Sequence, residues 1–238
     1  MDHNKRAWSH FSVKNDENFV SSPETLDIRE TLSNAVNNKA IPGAVFTLAC
    51  HGKTICKEVV GHRQVTPHPE SMTDDTIFDL ASLTKVVATW PAILILLQNK
   101  LIELDAPVSK YLHELENSLL GEITILDLLT HTSGLPERTY LRQYGKSKQD
   151  IIRGFCDTGL EAQKGKRVLY SNRGFILLGF IIEEITHREL SAFVTEKVWR
   201  PLQMEETFFT PSASCILRIA PTEYREALNA CQRGTVHD

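Results

Sequence analysis

The stretch NRGFILLGFIIEEITH, residues 172–187, is apolar nearly all round, so a helix made from it has no face to offer to water. It can fold only inside a layer of other helices, and this requirement constrains the chain more than any other. A second apolar run, Val86–Leu97, makes the same demand, and LSAFVTEKVWRPL at 190–202 reads as a further helix. Both Val86–Leu97 and Phe175–Ile182 are shorter than a bilayer crossing needs and are read as buried helices, with no membrane span expected.

One charge interrupts the apolar pattern. Between Thr76 and Gln98 the only charged side chains are Asp79 and Lys85, and Leu83, Val86, Val87, Ala88 and Trp90 around the lysine read as core. Ser82 stands three residues before Lys85, which on a helix puts both on one face. A serine hydroxyl is a poor nucleophile until a base takes its proton. Burying a lysine among apolar groups costs its charge solvation and brings it towards that role. A helix starting near Ser82 would also aim free N–H groups at an oxyanion. The plain alternative is a capping serine followed by a lysine that snorkels to solvent.

The remaining segments predict smaller elements. Residues 1–20 are polar and aperiodic and read as a flexible arm. Ser22-Pro23 opens a helix whose face carries Ile28, Leu32, Ala35 and Val36, and Pro42-Gly43 ends it. AVFTLACHGKTICKEVVG reads as a β-hairpin turning at His51-Gly52, with Cys50 and Cys56 not facing each other. The chain from Ser82 to about Ala106 reads as helix with a kink or boundary at Pro91. Thr124-x-x-Asp127 starts a short helix at Ile125–Thr130, and 147–161 reads as another. Beyond residue 210 little reads as strand. The organisation is therefore a helix and hairpin over 21–75, a mainly helical lobe over 76–210, and a return towards the first lobe over 211–238.

Composition closes off several classes. A net charge of -4 with no Lys/Arg run gives no nucleic-acid or membrane surface. Nine histidines include no His-Glu-x-x-His or comparable ligand set, so no metal and no cofactor is expected. His131 and His237 are read as structural, fixing loops by hydrogen bonds. Five cysteines and a start without an apolar leader run point to a cytoplasmic protein.

A second motif lies in RVLYSNRGFILLG. Tyr170-Ser171-Asn172 falls in a turn just before the apolar helix, where a phenol close to a lysine could exchange a proton with Ser82 and an amide could orient the lysine. The alternative here is a packed aromatic at 170 and a helix N-cap at 172.

With FDLASLTK, LIELDAPVSKYL, ITILDLLTHTSGLP, YSNRGFILLGFIIE and PLQMEETFF in this order, the chain from about residue 24 onward resembles the class C β-lactamase-like branch of the penicillin-recognising serine enzymes. The resemblance implies an α/β (α+β) fold of the β-lactamase/transpeptidase type, an antiparallel sheet with flanking helices beside an all-helical lobe. It implies a serine acyl-hydrolase acting on a small ester, β-lactam or D-amino-acid peptide. Ser82 would be the acylated nucleophile and the donor of one oxyanion N–H, Lys85 its proton partner, and Tyr170 the base or relay. Asn172 would hold Lys85 and the substrate. Lys85 and Tyr170 are both candidates for the general base. The family's third motif, Lys or His followed by Thr or Ser and Gly, has no counterpart downstream of Tyr170. From this the final sheet strands are expected to be missing, leaving the hairpin with an unpaired edge, either by truncation or because a partner chain or second copy supplies them. A catalytically incomplete fragment or a non-catalytic binding protein is the rival reading.

Overall fold

A computed structural model describes residues 23–139, 141–145, 147–226 and 230–235. The N-terminal arm, the capping Ser22 and His237 lie outside these. The chain divides into two compact units, one of residues up to Asp79 and from Thr210 onward, the other Leu80–Phe209.

In the first unit, helix α1 (Pro23–Asn37) keeps Ile28, Leu32, Ala35 and Val36 half-buried, the face expected from their spacing. Strands β1 (Gly43–Cys50) and β2 (Lys53–Gln64) form the antiparallel hairpin. Its turn residues His51 and Gly52 both have positive φ, 49° and 75°, the backbone that a tight two-residue hairpin turn requires. Cys50 pairs with Lys53 and Cys56 with Leu48, so the two thiols are not opposite each other, and both are free.

One expectation for this unit needs correction, that of little strand beyond residue 210. Strand β3 (Glu70–Ser71) pairs antiparallel with the end of β2, giving the order β1-β2-β3, and among the described residues β1 keeps the unpaired edge expected of the hairpin. Strands β4 (Glu223–Arg225) and β5 (Ala230–Gln232) pair with each other in the stretch read as poor in strand. Two- and three-residue strands are too short to show a period of two, which is why the sequence did not reveal them. The late segment is tied to the early one through charge. Arg233 donates to Glu70 and Gln64, each over 2.7 Å, and Arg63 bonds the other Glu70 oxygen at 3.0 Å. Two guanidiniums hold the Glu70 carboxyl below its ordinary pKa in spite of its partial desolvation. Ile77 and Ile219 add a parallel bridge.

The second unit is helical and owns the main core. The helix expected from Ser82 to Ala106 is a composite: a 3-10 turn at Ala81–Leu83, a π-helical turn at Lys85–Thr89, and helix α2 (Trp90–Gln98). Pro91 falls in the first turn of α2, where its missing N–H is tolerated. Lys100, at φ 57°, stops the helix well short of Ala106, and Leu101 N–H closes it onto the Leu96 carbonyl. The 18 residues Ala81–Gln98, at mean hydropathy 1.4, are long and apolar enough to cross a membrane by length and composition, a longer stretch than Val86–Leu97 suggested. Ala88, Ala92, Ile93 and Leu96 from this stretch are nevertheless packed into the core of the helical unit.

Helix α3 (Ile125–Leu129) has the expected capping box, with Thr124 and Asp127 bonded reciprocally. Helix α4 (Lys148–Thr158) stops three residues early because Gly159 turns the backbone to positive φ. Helix α5 (Asn172–Thr186) buries Leu177, Leu178, Ile181 and Ile182 completely, as its all-round apolar sequence demands. Helix α6 (Leu190–Val194) runs into a second π-helical turn, Thr195–Trp199.

Candidate active site

Every residue singled out from the sequence as catalytic lies in the helical unit. Ser82 is exposed in its 3-10 turn, immediately after Ala81, which holds a left-handed φ of 45°. For a residue with a Cβ that conformation costs roughly 1–2 kcal/mol, a strain stored beside the hydroxyl. The turn is three residues long rather than the start of a continuous α-helix, so the dipole expected at Ser82 is that of a single turn.

Lys85 opens the π-helical turn and is half-buried. Its Nζ donates to Ser82 Oγ over 3.1 Å and to Asn172 Oδ1 over 2.7 Å. It also lies 4.8 Å from the centre of the Tyr170 ring and 5.6 Å from that of Phe175. The apolar enclosure expected around it is one-sided. Ala88 is buried, but Leu83, Val86 and Trp90 are 56%, 57% and 38% exposed. The helical repeat explains the split, since 88, 92 and 96 recur every four residues on the core side while 83, 86, 90 and 94 follow the other stripe.

Tyr170 is about half-exposed. Partial burial pushes its pKa up, but hydrogen bonds with Lys85 and Ser82 and the Lys85 charge outweigh that, and the net direction is down from the ordinary phenol value. Asn172 is the first residue of α5. The N-cap is Ser171, with no side-chain capping bond, so the amide is not spent on the helix end and its Oδ1 is given to Lys85. The four predicted residues Ser82, Lys85, Tyr170 and Asn172 thus converge on one ammonium group.

The residues that hold this group were harder to foresee. Ser171, between the two functional side chains, is buried and donates its Oγ–H to the Pro136 carbonyl at 2.7 Å. Arg173 is buried with its guanidinium over Tyr144 and Phe155, and it donates to the Arg138 carbonyl and the Tyr144 hydroxyl. The 131–134 loop needs Gly134: its φ is 78°, and a Cβ there would meet the Ala162 carbonyl oxygen at 2.0 Å. His131 makes the loop-fixing hydrogen bond expected of it, accepting from the Ser171 N–H.

A hydroxyl, a phenol and an amide gathered around one ammonium, with the serine exposed, form a group suited to acyl transfer. Comparison with known proteins agrees with this class. A Beta-lactamase family model matches residues 28–234, and the chain belongs to that family. It is 29% identical over 189 residues to an N-acetylmuramyl-L-alanine amidase of Bacillus subtilis (strain 168), covering 71% of this chain and 43% of the relative. It is 32% identical over 157 residues to a putative D-alanyl-D-alanine carboxypeptidase of Salmonella agona (strain SL483), covering 60% of this chain and 36% of the relative. Among solved structures, a class C beta lactamase from Rhodobacter sphaeroides superposes with a TM-score of 0.73 at 24% identity, over 90% of this chain and 58% of that one. The D-alanine carboxypeptidase AmpC from Burkholderia cenocepacia gives 0.70 at 22%, over 83% and 53%. These likenesses bear out the β-lactamase-type α/β fold expected from the sequence. The chain spans about a third to three-fifths of the length of these relatives.

Proposed function

We propose that this chain carries the acylation centre of a serine acyl-hydrolase acting on esters, β-lactams or D-amino-acid amides. The observation that carries the reading is the shared ammonium: Lys85 donates at once to the Ser82 hydroxyl and the Asn172 amide, and it lies 4.8 Å from the centre of the Tyr170 ring. Of the two candidates for the base, Tyr170, whose surroundings lower its proton affinity, is taken as the proton acceptor. As Ser82 Oγ attacks the carbonyl carbon, its proton passes to the Tyr170 oxygen. The Ser82 backbone N–H serves as an oxyanion donor. Tyr170 then returns the proton to the leaving amine or alcohol, giving an acyl-Ser82 ester. Water, deprotonated by the same phenolate, releases the acid and restores the serine. The Lys85 side chain faces the phenolate, while Asn172 fixes the lysine nitrogen. The names of the amidase and carboxypeptidase relatives support D-peptide-type amides as the first substrates to try.

The test is to treat the folded protein with a penicillin and with a fluorophosphonate and map the adduct by intact mass and peptide sequencing. An adduct on Ser82 that is lost in Lys85→Ala supports the reading. Labelling elsewhere, or none on folded protein, rejects it in favour of a non-catalytic protein.

The stripe Leu83, Val86, Trp90 and Leu94, exposed by 38–57%, favours a second reading in which additional polypeptide or a second copy covers this face in the working enzyme. A molar mass in solution of one chain, together with full acylation of that chain, would count against it.

A further inference from the structure

The backbone on both sides of Tyr170 is held by one residue, His131, while the Ser171 side chain is held separately by the Pro136 carbonyl. The carbonyl of His131 accepts the Leu169 N–H over 2.8 Å, and the imidazole Nδ1 of the same residue accepts the Ser171 N–H over 3.1 Å. The two bonds bracket Tyr170 on both sides. His131 takes a left-handed backbone, φ 58°, and from it carbonyl and ring both reach this one segment. The ring then lies against Tyr170, centroids 4.6 Å apart and 39° between planes, and against Phe175 at 5.3 Å.

We infer that His131 is a positioning residue for the acylation step, fixing the Tyr170 phenol between Ser82 and Lys85 through its paired grip on Leu169 and Ser171. The inference rests on the reading of Tyr170 as the proton acceptor. For Nδ1 to accept, the imidazole must be neutral with its proton on Nε2. Partial burial, and then the nearby Lys85 charge, push the His131 pKa below its ordinary value and keep it so near neutral pH. A second cation there would also compete with the Lys85 ammonium for the phenolate.

Two substitutions separate the grip from the packing. His131→Phe keeps a ring against Tyr170 but cannot accept the Ser171 N–H. His131→Asn offers an amide oxygen near the Nδ1 position and tolerates positive φ. With each protein normalised to its labelled Ser82, the acylation rate constant at saturating penicillin should fall about ten- to hundredfold in His131→Phe, the scale of a small misplacement of a reacting group. The half-saturating concentration should change less than twofold, and His131→Asn should recover to within about threefold of the parent. Equal rates in His131→Phe and the parent, or a loss seen only in half-saturation, overturn the inference. Nitrogen NMR of the parent gives an independent arm that needs neither activity nor a folded variant. An unprotonated Nδ1 with a slowly exchanging Ser171 amide supports the grip; a protonated Nδ1 or a freely exchanging amide overturns it. If Ser82 never acylates, the proposed function fails while this arm still decides whether His131 holds the segment.

Discussion

The indole Nε1 of Trp199 donates to the backbone carbonyl of Val87 over 2.8 Å, across 112 residues of chain. Pro91, four residues after Val87, has no N–H to offer that carbonyl. The bond ties the second π-helical turn, Thr195–Trp199, to the one that begins with Lys85. π-Helical turns concentrate at functional sites, and Lys85 is the first residue of this one.

Trp199→Phe keeps most of the packing but removes the donor. Losing a hydrogen bond to this half-buried carbonyl costs roughly 0.5–1.5 kcal/mol, to be read as a lower urea midpoint at unchanged slope. Pro91→Ala restores an N–H, so the double variant should lose less than the sum of the two single losses. Simple additivity would show that the indole and the proline are independent.

Asn172→Ala removes the 2.7 Å acceptor from Lys85. A hydrogen bond to a charged group is worth about 1.5–3 kcal/mol, so the rate of Ser82 acylation should drop about ten- to hundredfold, as measured by stopped-flow with a chromogenic β-lactam or ester. The fold should survive, because the side chain of Asn172 does not cap α5.

Much of this was legible wherever the cause is local. The His51-Gly52 turn, the Thr124–Asp127 capping box, the burial of α5 and the three-residue step from Ser82 to Lys85 each follow from a few adjacent residues. The convergence of Asn172 on Lys85 spans 87 residues; the residues alone offer it beside a plain helix N-cap, and resemblance to a family decides between the two. Contacts without a local signature stayed hidden: Trp199 with Val87, Arg233 with Glu70, and the buried Ser171. The exposure of Leu83, Val86 and Trp90 was misread for a related reason, since an apolar stripe looks the same in sequence whether or not anything covers it.

Away from the site, Glu196 bonds Arg188 at 2.7 Å and Lys197 at 2.8 Å, and these two cations lower its pKa to about 2. A depressed carboxyl contributes stability that is complete above its unfolded value near 4.5 and disappears as pH falls through about 2. The thermal midpoint of the parent should therefore fall more steeply between pH 4.5 and 2 than that of Glu196→Gln. Parallel curves would show that the pair is without consequence for folding.

The account turns on which group takes the Ser82 proton, and the pH dependence of Ser82 acylation in the parent and in Tyr170→Phe tests it most directly. With Tyr170 as acceptor, the parent rate rises with pH up to a plateau whose midpoint lies below the ordinary phenol value of 10. Tyr170→Phe should lose that rise along with about 10²–10⁴ in rate, the usual share of a general base. Acylation of Tyr170→Phe at the parent rate, with the same pH profile, would contradict the mechanism.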